Sequence, residues 1–199
     1  MVLSASFHQI TTFQVMPLAS HMERAYSLAA HSEHLILLGI PPSEPDVGYG
    51  WIEPSVYLDP ADYVNSAWPL SPVNRFWEKP DQRLAKALMD CGCLWNSFIM
   101  AGRVSAFLQS IRLALPNLMA AFESFQLSPS CRSKRAELSQ LYSMLRPMSF
   151  SADVLAARPA DLSVLCATGL GWSDLGDPGR VTSVLHQRGM KTQWASVSA

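Results

Sequence analysis

Four short clusters in this sequence bring together groups that could hold a polar ligand: Gly48-Tyr49-Gly50, Phe76-Trp77-Glu78-Lys79-Pro80, Leu94-Trp95-Asn96-Ser97 and Trp172-Ser173-Asp174-Leu175-Gly176. Carboxylate and amide groups exchange hydrogen bonds with hydroxyls, an ammonium neutralises phosphate as a point charge, and glycine lets backbone approach a ligand closely. That set of groups suits a phosphorylated sugar. Asp174 adds a hard oxygen of the kind Mg²⁺ takes, where one or two carboxylates bind and phosphates and waters complete the shell.

Each cluster falls where a strand meets a loop, the place at which α/β sheets line a ligand crevice. Met22, Ala25, Tyr26 and Ala29 recur at helical spacing and precede a short apolar strand, Leu35 to Leu38, closed by Gly39. Pro41, Pro42 and Pro45 then force an extended loop into Gly48-Tyr49-Gly50, and a strand from Trp51 to Glu53 follows. Residues 57–72 carry Pro60, Pro69 and Pro72 without a clean period and read as a loop excursion. Strand character returns at Val73 to Trp77, and Asp81 after Pro80 opens a helix carrying Leu84, Leu88 and Met89 that Gly92 ends. A strand from Leu94 to Met100 comes next. Two amphipathic patterns, Val104-Phe107-Leu108-Ile111-Leu115 and Leu138-Leu141-Tyr142-Leu145, predict helices packed on a sheet, the first stripe being core. Leu162 to Cys166 is a last strand, before a turn-rich stretch from Gly169 to Gly176 and a helix near Arg180 to Gln187. Strands alternating with helices predict an α/β layered domain.

The totals fit one globular domain. The 199 residues are 49% hydrophobic and 16% charged, enough to bury a core, and the formal charge of -1 lacks the basic footprint of a nucleic-acid binder. No block of like charge suggests a membrane surface, and no stretch is apolar for long enough to span one. Without a signal-like start the expected location is cytoplasmic, where Cys91, Cys93, Cys131 and Cys166 stay reduced.

The order and spacing of the four clusters resemble the nucleotidyltransferases that join a sugar 1-phosphate to a nucleotide, and most of all the mannose-1-phosphate guanylyltransferase family. Leu38-Gly39-Ile40-Pro41-Pro42 leading into Gly48-Tyr49-Gly50 carries the likeness, with Glu78-Lys79-Pro80-Asp81, Leu94-Trp95-Asn96-Ser97 and the Trp-Ser-Asp-Leu-Gly run, across most of residues 2–187. The resemblance implies an incomplete Rossmann-like nucleotidyltransferase fold, a mixed sheet flanked by helices, with residues 1–199 forming one partial domain that holds the sugar-phosphate-binding half. It implies further that Gly48, Tyr49 and Gly50 lie against the mannose ring, that Glu78 bonds sugar hydroxyls and that Asn96 contacts the sugar. Lys79 would hold the sugar phosphate and, with Asp174, serve catalysis; Asp174 would be one of two carboxylates on Mg²⁺. In that family the anionic sugar phosphate, here mannose 1-phosphate, attacks the α-phosphate of GTP and pyrophosphate leaves. The nucleophile arrives ionised, so no general base is needed, in keeping with a sequence that offers no Ser-His-Asp or Cys-His arrangement.

Departures from the family pattern carry their own expectations. The glycine-rich Gly-Gly-x-Gly-x-Arg segment that grips the triphosphate does not occur in these 199 residues. GTP is therefore expected to bind only if that half is supplied elsewhere, the chain is read as truncated at its N-terminus, and a homo- or hetero-oligomer is among the expected partners. Ser6 and Phe7 stand where the family's first metal Asp and the following His belong, which predicts loss of the two-carboxylate clamp. Phe98 stands where the family has glycine, and Ser151 near the place of an Asp for which Asp153 is a shifted substitute. Impaired transfer, a non-catalytic sugar-phosphate-binding or regulatory module, and a decayed fragment are the three functions this leaves. Plainer readings stand beside the sharp ones: Glu78 and Lys79 as a surface ion pair, Asp174 bonding backbone amides in its turn, Trp95 and Trp172 as core, and His31 with His34 as a helix-end pair lacking a third metal ligand.

Overall fold

Alternation along one strand decides the layers of this protein. In the strand Leu35–Ile40, Leu35 and Leu37 belong to one buried cluster and Ile36, Leu38 and Ile40 to another on the opposite face. Successive side chains point to opposite sides of a strand, so a run buried throughout needs cover on both faces. A computed structural model describes residues 2–6, 11–12, 15–56, 70–127, 134–176 and 178–187. Its elements run β1 (Val2–Ser6), β2 (Thr11–Thr12), α1 (Val15–Ala30), β3 (Leu35–Ile40), β4 (Gly50–Pro54), β5 (Leu70–Glu78), α2 (Gln82–Asp90), β6 (Leu94–Arg103), α3 (Val104–Ala114), α4 (Pro116–Leu127) and α5 (Lys134–Met144). A π-helical turn (Phe150–Leu155) and a 3-10 turn (Pro159–Asp161) lead to β7 (Leu162–Cys166), β8 (Ser173–Asp174) and α6 (Pro178–Gln187).

The main sheet is six-stranded and mixed, in the order β1-β6-β3-β7-β5-β4, with β4 also pairing β6; β2 and β8 form a separate two-stranded ribbon. β3 and β7 are parallel, the other pairs antiparallel. On one face α1 brings Ala25 and Ala29, and α2 brings Ala85 and Leu88, against Ile36, Trp51 and Trp95. On the other face Ala106 and Phe107 of α3 and Leu155 of the π-turn cover Leu35, Leu37, Met100 and Val164. The mixed α/β architecture expected from the alternating pattern is what the chain adopts.

Local chemistry sets the ends that matter for the site. Asp81 caps α2 by accepting the Leu84 N–H at 2.8 Å, and Gly92, at φ 75°, lets Cys93 N–H reach Leu88 O at 3.0 Å to close its other end. β3 runs through Gly39 rather than stopping there. Opposite β6 its register shifts between Leu37 and Gly39, so Gly39 pairs with Asn96. A Cβ on Gly39 would lie 2.6 Å from Leu94 Cδ1 and 2.8 Å from Val164 Cγ2, so the strand crossing is too tight for a side chain.

Four expectations need correction. β5 begins at Leu70, so 70–72 of the expected 57–72 excursion are strand, pairing with Leu165, Val164 and Ser163. Pro72 is accommodated because its carbonyl does the bonding, accepting the Ser55 N–H at 2.8 Å; residues 57–69 lie outside the described residues. β6 extends past Met100 to Arg103. The stripe from Val104 to Leu115 is core only in part: Phe107 is buried, whereas Leu108 is 44% exposed. Finally, α5 packs on α4 through the edge-on pair Phe122–Tyr142, with ring centroids 6.1 Å apart.

Candidate functional site

β6 is where the sheet divides. One of its edges pairs with β3 from Trp95 to Ala101; the other carries β4 at Leu94 and Trp95, then β1 from Ile99 to Arg103. Asn96, Ser97 and Phe98 lie in the opening between those two strands. There the backbone is held by its own side chains: Phe98 N–H donates to Asn96 Oδ1 at 3.2 Å, Ile99 N–H to Ser97 Oγ at 3.2 Å, and Ser97 Oγ donates to Leu38 O at 2.6 Å. Parted strands of this kind are where open α/β sheets receive ligands.

A cavity of about 320 Å³ fills the opening, lined by Gly48, Tyr49 and Gly50 from the entry to β4, by Glu78 and Lys79 from the end of β5, and by Asn96 and Phe98 of β6. Six of the seven residues singled out in the sequence therefore share one cavity. Met148, Ser149, Phe150 and Ser151 close its remaining side. Lys79 (φ 46°) and Phe98 (φ 61°) are the non-glycine residues with left-handed backbone among those described, and both line this cavity. Such a conformation costs an L-residue roughly 1–2 kcal/mol, and at Phe98 it explains why a glycine suits the position.

Burial leaves two polar atoms of opposite character without partners here. Glu78 Oε2 is a buried acceptor with no donor, and Asn96 Nδ2 is a buried donor with no acceptor, its Oδ1 being committed to Phe98. Burial holds the Glu78 carboxyl above its ordinary range, against the opposing pull of the Lys79 charge and of a hydrogen bond from Ser151. Glu78 and Lys79 thus share one wall of the cavity. A Cβ on Gly50 would stand 2.9 Å from Phe76 Cζ and 3.3 Å from Glu78 Oε2, so glycine there keeps the carboxylate's approach open.

Asp174 stands outside that cavity. It is buried in β8, accepts Gly176 N–H at 2.8 Å, as the plainer reading of its turn anticipated, and also accepts Arg180 Nη1 at 3.2 Å. Arg180 Nη2 simultaneously donates to both oxygens of Asp46, at 2.8 and 2.7 Å, while its guanidinium carbon sits 4.2 Å from the centroid of the Tyr49 ring. Tyr49 separates the two regions, because it also lines a second cavity of about 310 Å³ with Trp95, Trp172 and Arg180. Burial raises the Tyr49 phenol above its ordinary range, opposed by the Arg180 charge. Trp95 and Trp172 are core, as expected, at 5% and 8% exposure.

The donor set around Asp174 does not fit a hard divalent cation. Mg²⁺ requires several oxygens in near-octahedral array, and here a guanidinium already sits between the Asp46 and Asp174 carboxylates. Among the described residues no group of three His, Cys, Asp or Glu is placed to hold a metal ion. Asp153 does not replace the family's sugar-side Asp: it accepts Ser149 N–H at 2.7 Å and Arg146 Nη2 at 3.1 Å, bonds that hold its carboxyl below the usual range. Ser151, near the place of the family's Asp, lines the cavity together with Glu78. His34 Nδ1 lies 3.0 Å from Ser163 Oγ. Ser6 ends β1 opposite Ile99, while Phe7 lies outside the described residues.

The sequence reading missed Asp46 and Arg180. One signal was present: Arg180 lies in the first turn of α6, where the helix dipole disfavours a cation, so a carboxylate had to be near.

Comparison with known proteins bears on this arrangement directly. The chain is 28% identical over 149 residues to mannose-1-phosphate guanylyltransferase 2 of Escherichia coli O157:H7, covering 74% of this chain and 30% of that protein. It is 31% identical over 125 residues to a mannose-1-phosphate guanylyltransferase of Klebsiella pneumoniae, covering 62% of this chain and 25% of that one. The relatives are mannose-1-phosphate guanylyltransferases. The chain spans under a third of the length of these guanylyltransferases. Its fold is shared with the mannose-1-phosphate geranyltransferase of Thermus thermophilus, at TM-score 0.67 and 20% identity over 84% of this chain and 44% of that one. No protein-family profile matches, and no helix among the described residues is long and apolar enough to cross a membrane.

Proposed function

We propose that this chain is the sugar-phosphate-binding part of a mannose-1-phosphate guanylyltransferase, and that it binds mannose 1-phosphate in the cavity between Gly48-Tyr49-Gly50, Glu78-Lys79 and Asn96. The observation that carries this reading is the pair of buried, unpartnered atoms, Glu78 Oε2 and Asn96 Nδ2. A sugar hydroxyl both donates and accepts, so neighbouring hydroxyls of one hexose answer both atoms at once, and each otherwise carries the desolvation cost of an unmade hydrogen bond. Lys79 on the same wall supplies the charge for the phosphate.

In the complete reaction the bound sugar phosphate would attack the α-phosphate of GTP and release pyrophosphate. This chain's residues serve the acceptor side of that step: they orient the hexose, neutralise its phosphate through Lys79 and need no base to ionise it. The glycine-rich grip on GTP is not among these 199 residues, so transfer calls for that element from other sequence. Mg²⁺, which the resemblance implies, finds no fitting ligand set at Asp174, whose carboxylate is paired with Arg180. The ion pair between Arg180 and Asp174 favours a second reading, a sugar-phosphate-binding module without transfer.

Melting temperature in the presence of mannose 1-phosphate tests the first claim. A ligand that binds only the folded state at about 100 times its Kd adds about 2.7 kcal/mol, roughly 5–10 °C for a chain this size. Lys79→Ala should lose most of that rise, and an unchanged response in the variant would remove the proposal. Pyrophosphate release from GTP and mannose 1-phosphate separates the two readings.

A further inference from the structure

The guanidinium of Arg180 is paired with Asp174, the carboxylate to which the family resemblance gives a divalent cation, and it also touches a carboxylate from a distant part of the chain. Asp46 belongs to the loop that becomes Gly48-Tyr49-Gly50, and Asp174 to β8. Side-chain exposures are 24% for Arg180, 13% for Asp46 and 6% for Asp174, so the three charges are largely withdrawn from water. Two such carboxylates need a cation between them, since like charges at close range in a buried setting repel strongly.

Arg180 meets that need in a way a metal does not. Its planar fork donates along fixed directions. One end of the fork takes both Asp46 oxygens and the other takes Asp174 Oδ2. Asp46 in turn accepts Gly48 N–H at 2.6 Å through Oδ1 and Trp51 Nε1–H at 2.9 Å through its backbone carbonyl. The clasp therefore ties the glycine wall of the sugar cavity to α6 and β8. A Cβ on Gly48 would lie 2.6 Å from Arg180 Nη2, which shows how closely the guanidinium abuts that wall.

We propose that Arg180 is a built-in substitute for a divalent cation: it occupies a latent cation site formed by Asp46 and Asp174, and it positions Gly48-Tyr49-Gly50 without metal. The proposal rests on the sugar-phosphate reading only for its consequence, that mannose 1-phosphate binding by this chain needs no Mg²⁺. A divalent ion would have to displace the guanidinium from both carboxylates, whose oxygens are of the type such ions take.

Mn²⁺ uptake, read from the loss of the free-ion electron paramagnetic resonance signal, tests the site on the full chain without any sugar. The wild-type chain is expected to leave millimolar Mn²⁺ free. Arg180→Ala, verified as folded by a cooperative melt, is expected to take up one Mn²⁺ per chain at about millimolar affinity, and adding Asp174→Asn should abolish that uptake. Arg180→Gln, which keeps the length of the side chain without its charge, serves as the second variant if the alanine variant does not fold. Uptake by the wild-type chain that Asp174→Asn removes overturns the proposal, as does a folded Arg180 variant that takes up none. In a second arm the melting shift with mannose 1-phosphate should be the same in EDTA and in millimolar Mg²⁺. A shift that requires Mg²⁺ overturns the proposal, whereas no shift in either condition overturns the sugar-phosphate reading and leaves the Mn²⁺ result to decide this one.

Discussion

The side-chain oxygen of Asn96 accepts the backbone N–H of Phe98, and this one bond decides which half of the amide faces a ligand. With Oδ1 committed, the buried Nδ2 is the group without a partner. Asn96→Asp keeps the acceptor for Phe98 and replaces the donor with a second carboxylate oxygen near Glu78. Mannose 1-phosphate affinity, measured by calorimetry, should fall at least about 10-fold, the equivalent of one lost hydrogen bond of roughly 1.4 kcal/mol. Unchanged affinity would mean the amide does not touch the sugar.

Phe98→Gly restores the residue type that the left-handed backbone at this position favours. Releasing φ 61° from a side chain returns about 1 kcal/mol, so the loss in urea stability should be well under the 3–5 kcal/mol typical of truncating a buried phenylalanine. The same change widens the cavity, and sugar-phosphate affinity should rise. A fall in affinity would show that the ring is part of the binding surface.

Glu78 makes the stability of the folded chain fall as pH rises. Burial raises its folded-state pKa above the ordinary 4.5. Between those two values the folded chain keeps a proton that the unfolded chain has released, so the unfolded state binds fewer protons and stability falls as pH rises. Glu78→Gln removes that loss. Urea midpoints should differ little from wild type at about pH 4 and favour the variant near neutrality, while binding of mannose 1-phosphate weakens at neutral pH because the carboxylate acceptor is gone. Equal midpoints at both pH values would show that the carboxyl is not desolvated in the folded chain.

Gly39→Ala tests the strand crossing that supports Asn96. The new methyl would stand 2.6 and 2.9 Å from Leu94 Cδ1 and Cβ, and 2.8 Å from Val164 Cγ2, inside normal contact on both sides. Overpacking of this kind costs about 1–3 kcal/mol, and because Gly39 pairs with Asn96 the strain should also reduce ligand affinity. A variant as stable as wild type would show that the crossing yields easily.

Much of the site was legible because its chemistry sits at strand ends, where residue type and backbone geometry coincide. Glu78-Lys79 and Asn96 could be placed on one crevice, and β7 located at Leu162–Cys166, from short-range pattern alone. The start of β5 was hidden by Pro72, which breaks the pattern of a strand while leaving its carbonyl free to pair. An amphipathic stripe shows that a helix has a buried side but not against what, so α5 was assigned to the sheet when it packs on α4. The Arg180–Asp46 pair spans 134 positions of chain, so the place of Arg180 at a helix start calls for a carboxylate without saying which one. Asp174 was recognised by its neighbours in sequence, whereas its electrostatic partner arrives only with tertiary packing.

Tyr49, Trp95 and Trp172 stand in mutual contact, with ring centroids 4.9, 5.0 and 6.2 Å apart, and Trp51 joins them 6.1 Å from Trp95. Rings this close at fixed tilts exchange excitation, so their near-ultraviolet circular dichroism belongs to the group rather than to any one indole. Tyr49 is the shared member that fronts both cavities. The protein thereby carries its own chromophore array at the wall between them, and a molecule settling on either side rewrites the spectrum without any added label.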